Sequence, residues 1–153
     1  MPALQLFGKL GANVFGGEAA GDAAQMDYLS DTVKATLHTT TYVPAIDTDE
    51  VKADATNELG TANGYTAGGV TLGTKTVSYN ATGNVTTLSA ADFSWTASGG
   101  SLVFRYVVFW DDTPTTPADP LIGFMDDTGV TLASGSTYTV DITASGLLTA
   151  TAI

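Results

Sequence analysis

The chain has 153 residues, 44% of them apolar, with 6 Phe, 6 Tyr and 2 Trp; that is enough to bury one core and too aromatic for charge-driven disorder. It carries 16 acidic against 5 basic residues, a net charge of -11, which excludes a nucleic-acid surface that works by displacing counterions from phosphate. It has no cysteine, so disulfides and thiolate metal sites are excluded, and no apolar run of roughly 18 residues that would cross a membrane as a helix.

The start, MPALQLFGKLGANVFGG, lacks the dense apolar centre and cleavage pattern of a secretory signal. Leu4, Leu6, Phe7, Leu10 and Val14 recur at helical spacing, and the glycines among them weaken that helix by about 1 kcal/mol each. A helix this marginal needs an outside surface to hold it. The spacing therefore predicts a short N-terminal helical segment, and residues 18–28 offer a second short helix. Residues 1–29 are expected to be a helical or extended attachment segment, and residues 30–153 an antiparallel β domain.

From Ser30 the period changes to two. In DTVKATLHT, Val33, Ala35 and Leu37 face one way, and Thr32, Lys34, Thr36 and His38 the other, which predicts a half-buried strand with His38 at the surface. In TTYVPAIDTDEVKADATNELG, either Asp47 or Thr48 caps a short helix or the stretch is a long excursion between strands. GYTAGGVTLGTKTVSY alternates again, and NATGN turns the chain into a partner strand at residues 85–88. ADFSWT puts Phe93 and Trp95 on one face.

Residues 102–110 form the longest apolar run. Strict alternation gives Leu102, Phe104, Tyr106, Val108 and Trp110 one face, and Val103, Arg105, Val107 and Phe109 the other. Both faces are mostly apolar, so this strand is central and covered on both sides. Residues 121–125 form the next strand, Gly129 and ASGS are turns, and TYTVDI and residues 147–153 close the chain. Eight or so short strands separated by turn signals predict a mainly β fold, an antiparallel β-sandwich or small barrel.

Chemistry is thinly represented. His38 is the sole histidine, and no zinc, nucleophile-elbow or phosphate-loop motif occurs. Asp111 and Asp112 end one strand, and Asp126 and Asp127 end the next. Calcium prefers several oxygens on a flexible frame, and Asp119 is placed to approach Asp111 or Asp112, but the EF-hand spacing is absent. No cofactor is expected, and calcium is the one metal these acids would suit. Pro114, Pro117 and Pro120 stiffen the connection between the two strands, as suits a contact made repeatedly with a fixed neighbour. Arg105 is expected to pair with an aspartate across an interface or to reach along its stem to solvent.

The order of segments resembles a group of small virion structural proteins of tailed bacteriophages. Four stretches carry the resemblance: DYLSDTVKATLHTTTYVP, NELGTANGYTAGGVTLGTKTVSYNATGN, ADFSWTASGGSLVFRYVVFWDDT, and DPLIGFMDDTG with the alternating tail behind it. They cover most of residues 27–148. The first 26 residues are longer and richer in glycine than the lead usual in such proteins. The resemblance implies a capsid decoration, or cement, protein that stabilises the head shell through protein–protein contacts, and no enzyme. The implied partners are the major capsid protein or other virion proteins, with homo-oligomer or lattice neighbours, and neither nucleic acid nor membrane. The implied place is the virion head surface, after assembly in the bacterial host cytoplasm. Expected contact residues are Leu6, Phe7, Leu10, Val14, Arg105, Asp111, Asp112, Pro114 and Pro117. Two other readings are a tail, collar or fibre-associated protein and a host-surface adhesion module using Tyr42, Tyr65 or Trp95 as exposed aromatics. Glycine-rich strand edges also suit pairing with a neighbour's strand.

Overall fold

The alternating segments become antiparallel strands, and among the described residues almost nothing else is regular. The computed structural model describes residues 2–15, 26–142 and 146–151. The strands are β1 (Gln5–Leu6), β2 (Val33–His38), β3 (Val70–Thr71), β4 (Thr76–Asn80), β5 (Val85–Ser89), β6 (Phe93–Thr96), β7 (Leu102–Asp111), β8 (Leu121–Leu132), β9 (Thr137–Val140) and β10 (Leu148–Thr151). The one helix among the described residues, α1 (Leu10–Phe15), has six residues. The fold is mainly β, with antiparallel sheets and very little helix.

The strands form a five-stranded sheet in the order β1-β8-β7-β2-β3, a three-stranded sheet β10-β5-β4 and a two-stranded sheet β6-β9. The large sheet is buried on both faces. On one face Val33, Ala35, Leu37, Val107, Phe109 and Met125 pack with Trp95 of β6 and Val140 of β9. On the other, Tyr106, Val108, Trp110, Leu121 and Phe124 pack with Phe7, Tyr42 and Ala55. β7 pairs with β2 and β8, which makes it the central strand that its apolar run predicts.

Several expectations are corrected. The N-terminal apolar residues do not make one continuous helix. Gln5 and Leu6 pair with Phe124 and Gly123 of β8, and the helix starts only at Leu10. Glycine at 123 permits this, because a Cβ there would meet the Gln5 carbonyl oxygen at 2.5 Å. Of the expected second helix, residues 18–25 lie outside the described residues. Of the two alternatives after Asp47, the excursion is the one that forms: residues 39–69 hold turns and no helix. The Asp49 carboxylate accepts from Ala45 N and the Tyr42 hydroxyl, and Asp54 accepts from Glu50 N and Val51 N, so these acids close turns instead of starting a helix.

The strand after Pro120 does not stop at Met125; it continues to Leu132. Asp126 and Asp127 therefore sit inside β8 and not at its end. Strict alternation along β7 also fails. Phe104 pairs with Val130 and Tyr106 with Asp126, so one residue on β7 faces three on β8. This irregularity puts Leu102 and Phe104 on the face of Val107 and Phe109, away from Tyr106, Val108 and Trp110.

Candidate functional site

The β4–β5 hairpin follows from its turn. Asn80 and Val85 are partners across the residues ATGN, and this register sets which side chains share a face. Residues directly opposite in a sheet point the same way. Leu148, Leu88 and Val77 therefore form one row across the three strands, and Ala150, Thr86 and Tyr79 the next. The inner members of both rows line an apolar cleft of about 690 Å³. The outer members, Val77 and Tyr79, are 44% and 62% exposed, so the apolar face runs out of the cleft onto the free edge of the sheet.

The opposite wall comes from the start of the chain. Leu6 enters from β1 and Phe7 just after it, Leu10 and Val14 from α1, and Ile122 from β8. Tyr28 also lines the cleft; its hydroxyl donates to Ser89 O at 3.0 Å, and burial pushes its pKa up to about 12. No acidic, basic or imidazole side chain lines the cleft among the described residues. It can bind apolar surface, and its lining has no group that would move a proton near neutral pH.

Among the described residues the acidic, basic and imidazole side chains lie elsewhere. His38 is fully buried, against the expectation of a surface histidine. The excursion at 39–57 covers the second face of β2, so alternation there separates two buried sides. Its Nδ1 lies 2.7 Å from Thr56 O and its Nε2 3.0 Å from Thr36 Oγ1, and its ring packs on Tyr42. Burial lowers its pKa to about 4, outweighing the bond to Thr56 O. A general base needs access to a substrate proton, and this ring has no exposed surface.

Glu58 accepts from Tyr65 Oη at 2.7 Å, Gly68 N at 2.6 Å and Lys52 Nζ at 2.9 Å. Burial raises its pKa, but Lys52 and the two other donors outweigh burial and hold it below the usual carboxylate range. The same Tyr65 hydroxyl receives the N–H of Leu37 on β2. The cluster thus ties the excursion to the large sheet and leaves Glu58 no idle oxygen.

Asp111 is buried at the end of β7. Its Oδ1 accepts from Thr113 N, while Oδ2 has no hydrogen-bond partner among the described residues. Burial, reinforced by the nearby Asp31 carboxylate, pushes its pKa well above the usual range. Asp112 pairs with Lys34 at 2.6 Å, and the ammoniums of Lys34 and Lys52 both lie over the Trp110 ring. Among the described residues no group of three or more His, Asp or Glu side chains is placed to hold a metal ion.

The loop after Asp111 is tied to the body: Lys52 N donates to Asp119 O, and Leu121 N to Glu50 O, both at 2.8 Å. Pro114 is buried and Pro117 half-buried, and the Thr116–Pro117 peptide is cis. Within the chain, Arg105 pairs with Asp126, its Nη2 2.7 Å from Oδ2.

The structure thus gathers four of the nine expected contact residues, Leu6, Phe7, Leu10 and Val14, in the apolar cleft. Asp111 ends β7, Asp112, Pro114 and Pro117 belong to the β7–β8 connection, and Arg105 stands apart at the register shift after Phe104. The aromatics expected for adhesion are buried: Tyr42, Tyr65 and Trp95 all lie in the core. Sequence reading missed Tyr28, Leu88 and Leu148 on the cleft wall and Val77 and Tyr79 at its rim. The register set by NATGN was the signal for the hairpin members. No protein family, curated protein or solved structure matches the chain.

Proposed function

We propose that the chain is a structural protein of a phage virion, a decoration protein that holds the head shell through protein–protein contacts. The stacked sheets are read as an antiparallel β-sandwich that serves as a rigid body, with attachment made at one end of it. The observation that carries the proposal is the apolar cleft between the N-terminal segment and the three-stranded sheet. A cleft of this size with an uncharged lining is suited to an apolar segment of a shell protein. The acidic charge of the chain keeps its free surface away from packaged DNA.

The rim residue Leu6, 37% exposed, offers a test that spares the core. Leu6→Glu puts a charge at the mouth of the cleft. The variant is expected to keep the wild-type near-ultraviolet circular dichroism and to lose incorporation into particles. Normal incorporation of a folded Leu6→Glu protein would remove the cleft from the attachment surface.

A further inference from the structure

The edges of the large sheet are blunted, because β1 and β3 have two residues each. β4 is different. It has five residues, the longest edge strand among the described residues, and all five are exposed. Beyond its ladder with β5, no backbone hydrogen bond of residues 76–80 occurs among the described residues. Alternate N–H and C=O groups of an edge strand point away from its neighbour and stay open to another strand. Proteins usually protect such an edge with a lysine, a proline or a bulge. TVSYN has no lysine or proline, and its register with β5 is unbroken.

Two further features select the occupant. The hairpin sequence TVSYNATGNVTTLS, residues 76–89, contains no charged residue in a chain of net charge -11. It is therefore a surface where two copies meet without setting carboxylate against carboxylate. The strand is also self-complementary. A two-fold axis at Ser78 pairs all five residues antiparallel and sets Val77 against Tyr79 of the other copy twice, on one face. An apolar β-branched residue opposite an aromatic is a favourable cross-strand pair.

We infer that β4 is a self-association edge, through which a second copy of this chain adds antiparallel about Ser78 to give a continuous six-stranded sheet. This does not depend on the virion reading. A five-residue edge is short against the roughly 1,600 Å² of a standard interface, so the dimer is weak and concentration-dependent. Salt strengthens it by screening the repulsion between two acidic copies.

The test is sedimentation of the full chain from micromolar into millimolar concentration, with charge variants at the axis. Ser78 is exposed and lies on the face opposite Val77 and Tyr79, so substitution there leaves the monomer's packing alone. Ser78→Asp and Ser78→Lys each oppose like charges at the axis, and each is expected to weaken association by about fivefold or more. An equimolar mixture of the two variants is expected to recover it, which a general loss of stability would not do. A wild-type chain that stays monomeric into the millimolar range would overturn the inference. So would a dimer indifferent to both variants, since it would use another surface.

Discussion

Arg105 holds Asp126 through two parallel hydrogen bonds, Nε to Oδ1 at 2.8 Å and Nη2 to Oδ2 at 2.7 Å. The pair lies at the first of two register shifts in the β7–β8 ladder, the one between Phe104 and Tyr106. Asp126 also accepts from Thr128 N, and Thr128 and Gly129 follow with φ of 59° and 101°. A bidentate guanidinium–carboxylate pair fixes direction as well as distance. Here it holds the register change that sends Phe104 to one core and Tyr106 to the other.

Arg105→Ala is expected to lower the melting temperature by less than Phe104→Ala does. The pair is partly open to solvent, where ion pairs contribute little, whereas Phe104 is fully buried and its truncation costs about 3–5 kcal/mol. The Arg105→Ala deficit should shrink at high salt, and that of Phe104→Ala should not. Thermal melts at low and high salt check both.

His38 and Asp111 should pull the pH dependence of stability in opposite directions. The folded-state pKa of His38 lies below its ordinary value of 6.5, at about 4, so its neutral form is favoured by folding. Its contribution is full above about 6.5 and is lost as pH falls toward about 4. The folded-state pKa of Asp111 lies above its ordinary 3.8, so its contribution is full below that value and is lost as pH rises toward neutrality. At about 1.36 kcal/mol per pKa unit, each effect amounts to a few kcal/mol. Denaturant melts across this range should show the two single variants diverging. Asp111→Asn gains on the wild type as pH rises, and His38→Gln gains on it as pH falls. Parallel profiles for wild type and both variants would contradict the assignment.

Two adjacent glycines should differ sharply. Gly68 and Gly69 both have positive φ, 92° and 72°. A Cβ at 68 meets nothing within 4 Å, whereas one at 69 would stand 1.9 Å from the Ala35 carbonyl oxygen on β2. Gly68→Ala should cost only the left-handed backbone term, about 1–2 kcal/mol. Gly69→Ala must also push β2 aside and should cost more than about 3 kcal/mol. Urea unfolding midpoints at unchanged slope measure the difference.

Local pattern announced much of the fold. Period-two alternation marks β2, and the NATGN turn defines the β4–β5 hairpin. The double-sided apolar run marks β7 as central. What alternation cannot specify is what covers a face. His38, Tyr42 and Tyr65 are buried because residues 39–69 fold back over the large sheet, a contact with no local signature. The N-terminal residues were legible as apolar, but not as a strand and a cleft wall, since that depends on the glycine at 123, more than a hundred positions later. Phe7 and Leu10 are core residues, so deleting residues 1–17 would disturb the body as well as any attachment. For that reason a rim substitution such as Leu6→Glu is the cleaner probe.

The attachment proposal is tested most directly by titrating the protein against separated empty heads and tails of the phage that the proposal implies as its source. Pelleted protein would be counted per particle. Saturable binding to heads at hundreds of copies, lost in Leu6→Glu, is the expected result. Binding only to tails, at a few copies or the multiple of one ring, would contradict the head assignment, and binding to neither would contradict attachment to the finished particle altogether.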